Sequence, residues 1–380
     1  MIEKWVYTDK QKRLVEKGER IREAAAANAK EADRGASFSD EVMKVVKEER
    51  YPSLPLPKEA GGENLSLYEF LLMQEKIAEG DGAVALSIGW HAGTMMELRD
   101  DRPWKEDQLQ KLMDEVRKEQ KVVNRLATEP ATGSPTRGGM PETKATRKGD
   151  FYIINGKKIF ASLADHLDYC IVTAYVEDQD DVGLFLIERN AQGVTVEKTW
   201  DTLGMRGTES DDLVLTDVEV PVSSLVETST SKTVGPKGWL LHIPACYLGI
   251  AMGARNEAVE FAKNFQPNSL DTPIIEVPHI QDKIGTMEWK LLQAHSFLYD
   301  TARKWDEYPE RREEWKGELG AVKLAVTNAA QEVVDLAMRI SGGRGLSKNQ
   351  PFEKYYRDVR AGLHNPPMDD AVIKMLAQGV

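Results

Sequence analysis

The chain has 380 residues, an apolar fraction of 41% and a net charge of −12. That length allows two or three domains, or one composite, with enough apolar material for a sizeable core. The acidic balance excludes nucleic acid and an anionic membrane surface as partners, since both call for clustered Lys and Arg.

In chain order, the N-terminal stretch MIEKWVYTDKQKR has no apolar core and predicts no signal peptide. Residues 1–117 read as an α-helical domain, with charges alternating with Ala, Val, Leu and Met at helical spacing. Tyr51 to Pro57 carries prolines at 52, 55 and 57 and marks a loop. Ser66-Leu67-Tyr68-Glu69 is a capping box that starts a helix through Phe70, Leu71, Met73, Ile77 and Ala78.

Residues 118–227 change texture. Short β-type runs occur at Phe151–Ile154, Cys170–Val176, Gly183–Ile187, Val194–Thr199 and Leu213–Val220, separated by turn residues. Asn155-Gly156 between apolar stretches predicts a hairpin turn. This part is expected to be an antiparallel β domain. Residues 227–233 read as a surface linker, and residues 228–380 return to the helical period. Val322, Ala325, Ala329, Val333, Leu336, Ala337 and Ile340 form one stripe, and Gly342 ends that helix. A C-terminal four-helix bundle is expected, so the fold class is α+β. The longest apolar run, Ile243 to Ala254, is about 12 residues against the ~20 that span a bilayer. A cytoplasmic protein with no membrane partner and no metal site is expected. Cys170 and Cys246 lie outside any CxxC pair and predict two buried, reduced thiols.

Several motifs in order carry a family resemblance. They are Pro57-Lys58-Glu59-Ala60-Gly61-Gly62 with Glu75 to Asp81, Thr128-Glu129-Pro130-Ala131-Thr132-Gly133-Ser134, and Gly156 to Ser162. Leu203 to Thr208 with Asp217 to Pro221, Gly342-Gly343-Arg344-Gly345, and Arg357-Asp358 complete the set. Together they resemble the acyl-CoA dehydrogenase superfamily across nearly the whole chain. The resemblance implies a flavin between the β domain and the C-terminal helices, and a homotetramer. It places Phe160 as the aromatic wall of the ring system and Ser162 as a hydroxyl at flavin N5. Thr128 and Ser134 fall on the flavin-binding loop. Gly342, Gly343 and Gly345 would let backbone approach a neighbouring subunit's cofactor.

The sequence departs from the dehydrogenase pattern. Removing an α-proton from an acyl thioester needs a carboxylate base. Counting from Arg357-Asp358 puts the usual base position at Pro366, and the minority position falls at Trp239. No Asp or Glu lies between Thr228 and Asn256, and no Glu follows Arg357. No arginine lies between Arg255 and Arg303, where many members grip the flavin pyrophosphate. FAD would therefore be held loosely, or FMN would suffice.

These departures resemble the two-component flavin monooxygenase branch, the dibenzothiophene monooxygenase-like proteins. That branch receives reduced flavin from a separate reductase and acts through a C4a-hydroperoxyflavin. The likeness implies His91, Ser162 and His364 as catalytic residues, with imidazoles donating to the peroxide. Asn365 stands where the branch has Asp. The other histidines read as structural or surface residues, with His242, three after Trp239, a further candidate for the pocket wall. Asp369-Asp370 reads as a helix N-terminus and, alternatively, as a displaced base. The expected function is reduced-flavin-dependent monooxygenation of an apolar or aromatic small molecule. The alternatives are an FAD-dependent acyl-CoA dehydrogenase with a non-standard base, and a non-catalytic flavin- or acyl-binding member. The expected pocket lining comes from Leu86–Met96, Trp239–Tyr247 and His364–Met368.

Overall fold

The computed structural model describes residues 1–131, 139–228 and 235–379. Helices α1 (Asp9–Gly35), α2 (Asp40–Glu48), α3 (Leu67–Ala78), α4 (Gly82–Asp101) and α5 (Glu106–Glu119) come first. Local chemistry fixes their starts: Thr8 and Gln11 close a capping box on α1, and Ser66 and Glu69 close the expected one on α3. Helix α3 is buried along its whole length, packed by α1, α4, α6 and α7. Its one fully buried carboxylate, Glu75, accepts from His295 Nε2 at 2.7 Å and from the Tyr299 hydroxyl at 2.6 Å. His295 Nδ1 lies 2.6 Å from the Leu291 carbonyl. Both partners of the ring only accept, so the ring donates twice and is an imidazolium.

Strands β1 (Val123–Leu126), β2 (Lys144–Lys148), β3 (Phe151–Lys158), β4 (Tyr169–Val176), β5 (Asp181–Glu188), β6 (Val194–Glu197), β7 (Asp212–Pro221) and β8 (Leu225–Thr228) form one sheet. The order is β6-β7-β3-β2-β4-β5-β8. Strands β1 and β2 share one side of β4, β1 along residues 169–172 and β2 at 175–176, and both run parallel to it. The remaining described pairings are antiparallel. The sheet is thus mixed where a purely antiparallel one was expected.

Asn155-Gly156 is not a hairpin turn. Strand β3 runs through it, and its register on β7 shifts between Ile154 and Gly156. Gly156 is there for close approach, since a Cβ would stand 2.3 Å from Thr143 Oγ1. The Asn155 side chain faces outward and exchanges hydrogen bonds with Asp217.

Helices α6 (His242–Asn264), α7 (Pro278–Glu307), α8 (Lys316–Ser341), α9 (Phe352–Arg360) and α10 (Asp369–Gln378) complete the fold. Helix α8 is their hub, packing on α6, α7, α9 and α10. It buries Val322, Val326, Ala330, Val333, Ala337 and Ile340, while Ala325, Ala329 and Leu336 flank that stripe half-buried. Asp369 and Asp370 stand in the first turn of α10, the helix N-terminus foreseen for them. Both cysteines are buried and free, and burial pushes the Cys170 thiol up to about 12. No described helix is long and apolar enough to cross a membrane, and no described cluster could hold a metal ion.

Candidate active site

Strand β3 ends in a turn that presents an aromatic ring to solvent. Phe160 has a left-handed φ of 59°, and its ring is 57% exposed, edge-on to Trp200 at 5.9 Å. The following segment is zipped onto residues 208–211. Ala161 N–H donates to the Asp211 carbonyl, Leu163 N–H to Thr208 and Ala164 N–H to Glu209. Asp211 also accepts from the backbone of Thr199 and Trp200, which fixes the turn carrying the indole.

Beside this bare ring lies a buried chain of hydroxyls. Ser162 Oγ is 2.8 Å from Ser210 Oγ, and Ser210 Oγ is 2.8 Å from Thr208 Oγ1. Thr208 Oγ1 donates to the Met205 carbonyl at 2.9 Å. A hydroxyl has one proton and a carbonyl can only accept. With the Thr208 proton on Met205, Ser210 donates to Thr208 and Ser162 to Ser210, an arrangement in which Ser162 turns lone pairs, not a proton, toward anything beside it. A large exposed aromatic next to a buried polar chain suits a flat cofactor with an apolar face and a polar edge, so these residues fit a flavin.

The loop opposite is pinned from beneath. Ile159 N–H donates to the Thr128 carbonyl at 2.9 Å. The next residue, Glu129, is buried and accepts from Lys158 Nζ at 2.5 Å and from the backbone of Glu142 and Thr143. Burial would raise the Glu129 pKa, but Lys158 and these donors hold it below the usual carboxylate range. Ser134, expected on the same loop, lies outside the described residues.

His91 is a correction. Its Nδ1 accepts from Val123 N–H at 2.9 Å, so Nε2 carries the proton and donates to the Pro52 carbonyl at 2.9 Å. Both nitrogens are spent on backbone, and burial drives the pKa down to about 4. His91 ties α4 to β1 and to the Tyr51–Ser53 turn, and it has no proton left for a substrate.

His364 is exposed and makes no side-chain hydrogen bond among the described residues. Its segment is anchored by Asn365, whose Oδ1 accepts from the Tyr247 hydroxyl at 2.5 Å. Gly342, at φ 59°, and Gly343 stand in open space, with nothing within 4 Å of a built Cβ. Gly345 packs on Ser341, 2.2 Å from a built Cβ, and serves the turn itself.

At the second base position, Trp239 lays its indole on α4 over Gly93, where a Cβ would stand 2.1 Å away. Its Nε1 donates to Glu97 Oε2 at 3.0 Å, and Lys237 Nζ meets Glu97 Oε1 at 2.7 Å. Burial opposes ionisation of Glu97, but Arg125 and Lys237 hold its pKa low. The nearest carboxylate to Trp239 is thus a paired anion.

Sequence reasoning missed Ser210, the Glu129–Lys158 pair, Trp200 and Glu97. Glu129, Lys158 and Thr208 lay inside recognised motifs, which did not reveal that they pair or join a chain. The others come together through strand pairing and helix packing that spacing does not encode.

A helical–sheet–helical chain whose sheet offers a bare ring beside a buried hydroxyl chain defines a flavoprotein oxidoreductase. Profiles for the acyl-CoA dehydrogenase N-terminal, middle and C-terminal domains match residues 8–101, 125–218 and 241–363. The chain belongs to the acyl-CoA dehydrogenase family. It is 46% identical over 374 residues to the putative acyl-CoA dehydrogenase YdbM of Bacillus subtilis, covering 98% of each chain. Among solved structures it resembles TdsC of Paenibacillus sp. A11-2 in complex with FMN and indole, with a TM-score of 0.86 and 22% identity over 97% of this chain and 96% of that one. It also resembles butyryl-CoA dehydrogenase of Megasphaera elsdenii, with a TM-score of 0.84 and 22% identity over 98% of each chain.

Proposed function

We propose that the protein is a reduced-flavin-dependent monooxygenase acting on an apolar or aromatic small molecule. The observation that carries this reading is the direction of the hydroxyl chain. Reduced flavin has an N–H at N5, whereas oxidised flavin has a lone pair there. Ser162, with its proton committed inward, offers an acceptor that pairs with the reduced form and opposes the oxidised one. Phe160 would wall one face of the ring, and the Thr128 backbone would meet its pyrimidine edge. Bound reduced flavin would supply the two electrons that activate dioxygen.

The surroundings support the same reading. Position 366 is a proline, and Trp239 occupies the other base position. Glu97 nearby is an ion paired with Lys237, and a catalytic base needs a pKa near working pH and a free lone pair. His364 is the imidazole left to donate a proton to oxygen. A separate reductase would deliver FMN, or loosely held FAD. The open Gly342-Gly343 turn would face the cofactor of another copy in a homotetramer.

The second reading, desaturation of an acyl thioester, is favoured by the name of the Bacillus subtilis relative. One experiment separates them. The protein should bind reduced FMN about tenfold or more tighter than oxidised FMN, from one hydrogen bond gained and one opposed. Ser162→Ala should abolish that preference, and Ser210→Ala, which frees the Ser162 proton, should shift it toward the oxidised form. An unchanged preference in both variants overturns the proposal. Anaerobic bleaching of bound flavin by an acyl-CoA would establish the dehydrogenase reading instead.

A further inference from the structure

His242 opens α6 and is fully buried. Among the described residues neither of its ring nitrogens has a hydrogen-bond partner. A buried polar group left unpaired is costly, and a native structure keeps one for a reason. Its surroundings are aromatic. The ring stacks on Trp239 at 5.9 Å and on Phe70 at 5.8 Å, and meets Trp90 edge-on at 4.7 Å. Gly89 leaves room for it on α4, since a Cβ there would stand 2.4 Å from His242 Nδ1. Gln74, close by, is already committed, donating to the Ala85 carbonyl at 2.6 Å and accepting from the Tyr51 hydroxyl at 2.6 Å. Trp90 and Trp239 meet edge-to-face at 6.1 Å and are each half-buried, so the part-exposed rings that cover His242 are these two indoles.

We propose that His242 is the hydrogen-bonding residue of the substrate pocket, and that the pocket takes a flat aromatic molecule carrying one N–H or O–H. With the two indoles, which touch each other in the free protein, swung apart, the ligand's ring packs against them and its polar hydrogen meets the unprotonated nitrogen of His242. Burial keeps the imidazole neutral, with its pKa near 3, so that lone pair is present at every working pH. The aromatic walls supply affinity that any flat ring shares. The imidazole supplies discrimination, because a ligand without the hydrogen leaves it unpaired. The inference rests on the proposed reaction only in treating this pocket as the substrate's.

The test is equilibrium binding to the flavin-loaded protein, with indole and its near-isostere indene as probes. Wild type should bind indole about tenfold tighter than indene, the ratio one neutral hydrogen bond supplies. His242→Leu should bind both alike at the indene affinity, and His242→Gln should restore part of the preference. His242→Met, a more adaptable fit, carries the same expectation if the leucine variant does not fold. Equal binding of the two probes by wild type, or an indole preference that survives in the apolar variants, overturns the proposal. Binding is read without oxygen or reduced flavin, so the two readings fail separately. A protein that prefers indole yet never oxygenates anything sinks the monooxygenase reading alone. One that oxygenates while binding the probes alike sinks this inference alone.

Discussion

Three buried histidines of this chain hold three different states. His91 is neutral with both nitrogens bonded to backbone, His242 is neutral with neither bonded among the described residues, and His295 is an imidazolium on Glu75. Burial lowers the pKa of His91 to about 4 and that of His242 to about 3, and Glu75 raises that of His295. The first two remain unprotonated in the native state while the unfolded chain takes up protons near pH ~6.5. Their contribution is whole above that value and is lost as pH falls toward 4 and 3, about 3 kcal/mol or more for each site. His295 works in the opposite sense, since its raised native pKa gives stability below ~6.5 that disappears as pH rises through the native value. Urea melts at stepped pH should show a steep loss of stability between about 6.5 and 4. His242→Leu should flatten that slope by roughly half, because two sites of similar depth share it. The motif position of His91 was legible in the sequence and its role was not. Which carbonyl and which N–H stand 2.9 Å from an imidazole is decided by the Tyr51–Ser53 turn and by β1, far apart in the chain.

At the scale of elements, the site depends on a β3 end that cannot drift. Lys158 and Glu129 are 0% and 1% exposed and join β3 to the loop that carries Thr128. Removing one partner strands the other as a buried charge. Lys158→Met should therefore cost about 3–5 kcal/mol of stability and weaken flavin binding as well. Replacing both, Lys158→Met with Glu129→Leu, should recover much of the stability and little of the affinity, because the carboxylate also accepts from the backbone of Glu142 and Thr143. Thermal melts and flavin titrations of the two variants check this. The helices were readable because capping boxes and stripes are local patterns, as on α3 and α8. The strands were readable as strands, but not their neighbours. Asn155-Gly156 carries a strong local turn signal, yet β7 pairs on both sides of it and turns it into a register shift. Parallel pairing of β1 and β2 with β4 joins segments some 30 to 45 positions apart, and no spacing rule announces that.

For the whole molecule, α9 acts as a clasp. Arg357 makes two bonds to the carboxylate of Asp33 on α1, at 2.9 and 2.8 Å. Asp358 accepts from Met205 N–H at 2.6 Å, in the turn that ends the hydroxyl chain. Lys354 bridges Asp358 at 2.6 Å and Asp81, the N-cap of α4, at 3.0 Å. Both carboxylates raise the Lys354 pKa in spite of its burial. One short helix thus holds all three parts of the chain. Asp358→Ala should leave a buried ammonium half-paired and cost about 3–5 kcal/mol. Calorimetry should then resolve separate unfolding steps where the wild type shows one. Arg357-Asp358 was readable as a family signature from the sequence alone, whereas this clasp was not, because its three anchors belong to distant parts of the fold.

Met205 joins that clasp through its N–H and the hydroxyl chain through its carbonyl, and the carbonyl also receives the Trp200 indole N–H at 3.1 Å and the Thr208 N–H at 3.1 Å. An oxygen with three suitors and no hydrogen of its own works as a ratchet pawl. Neither Ser162, Ser210 nor Thr208 ionises in the accessible range, so acid and alkali leave the polarity of the row untouched. On the proposed reading, a choice between the two oxidation states of a bound flavin would rest on atoms that do not ionise, and the surrounding medium would have no handle on it.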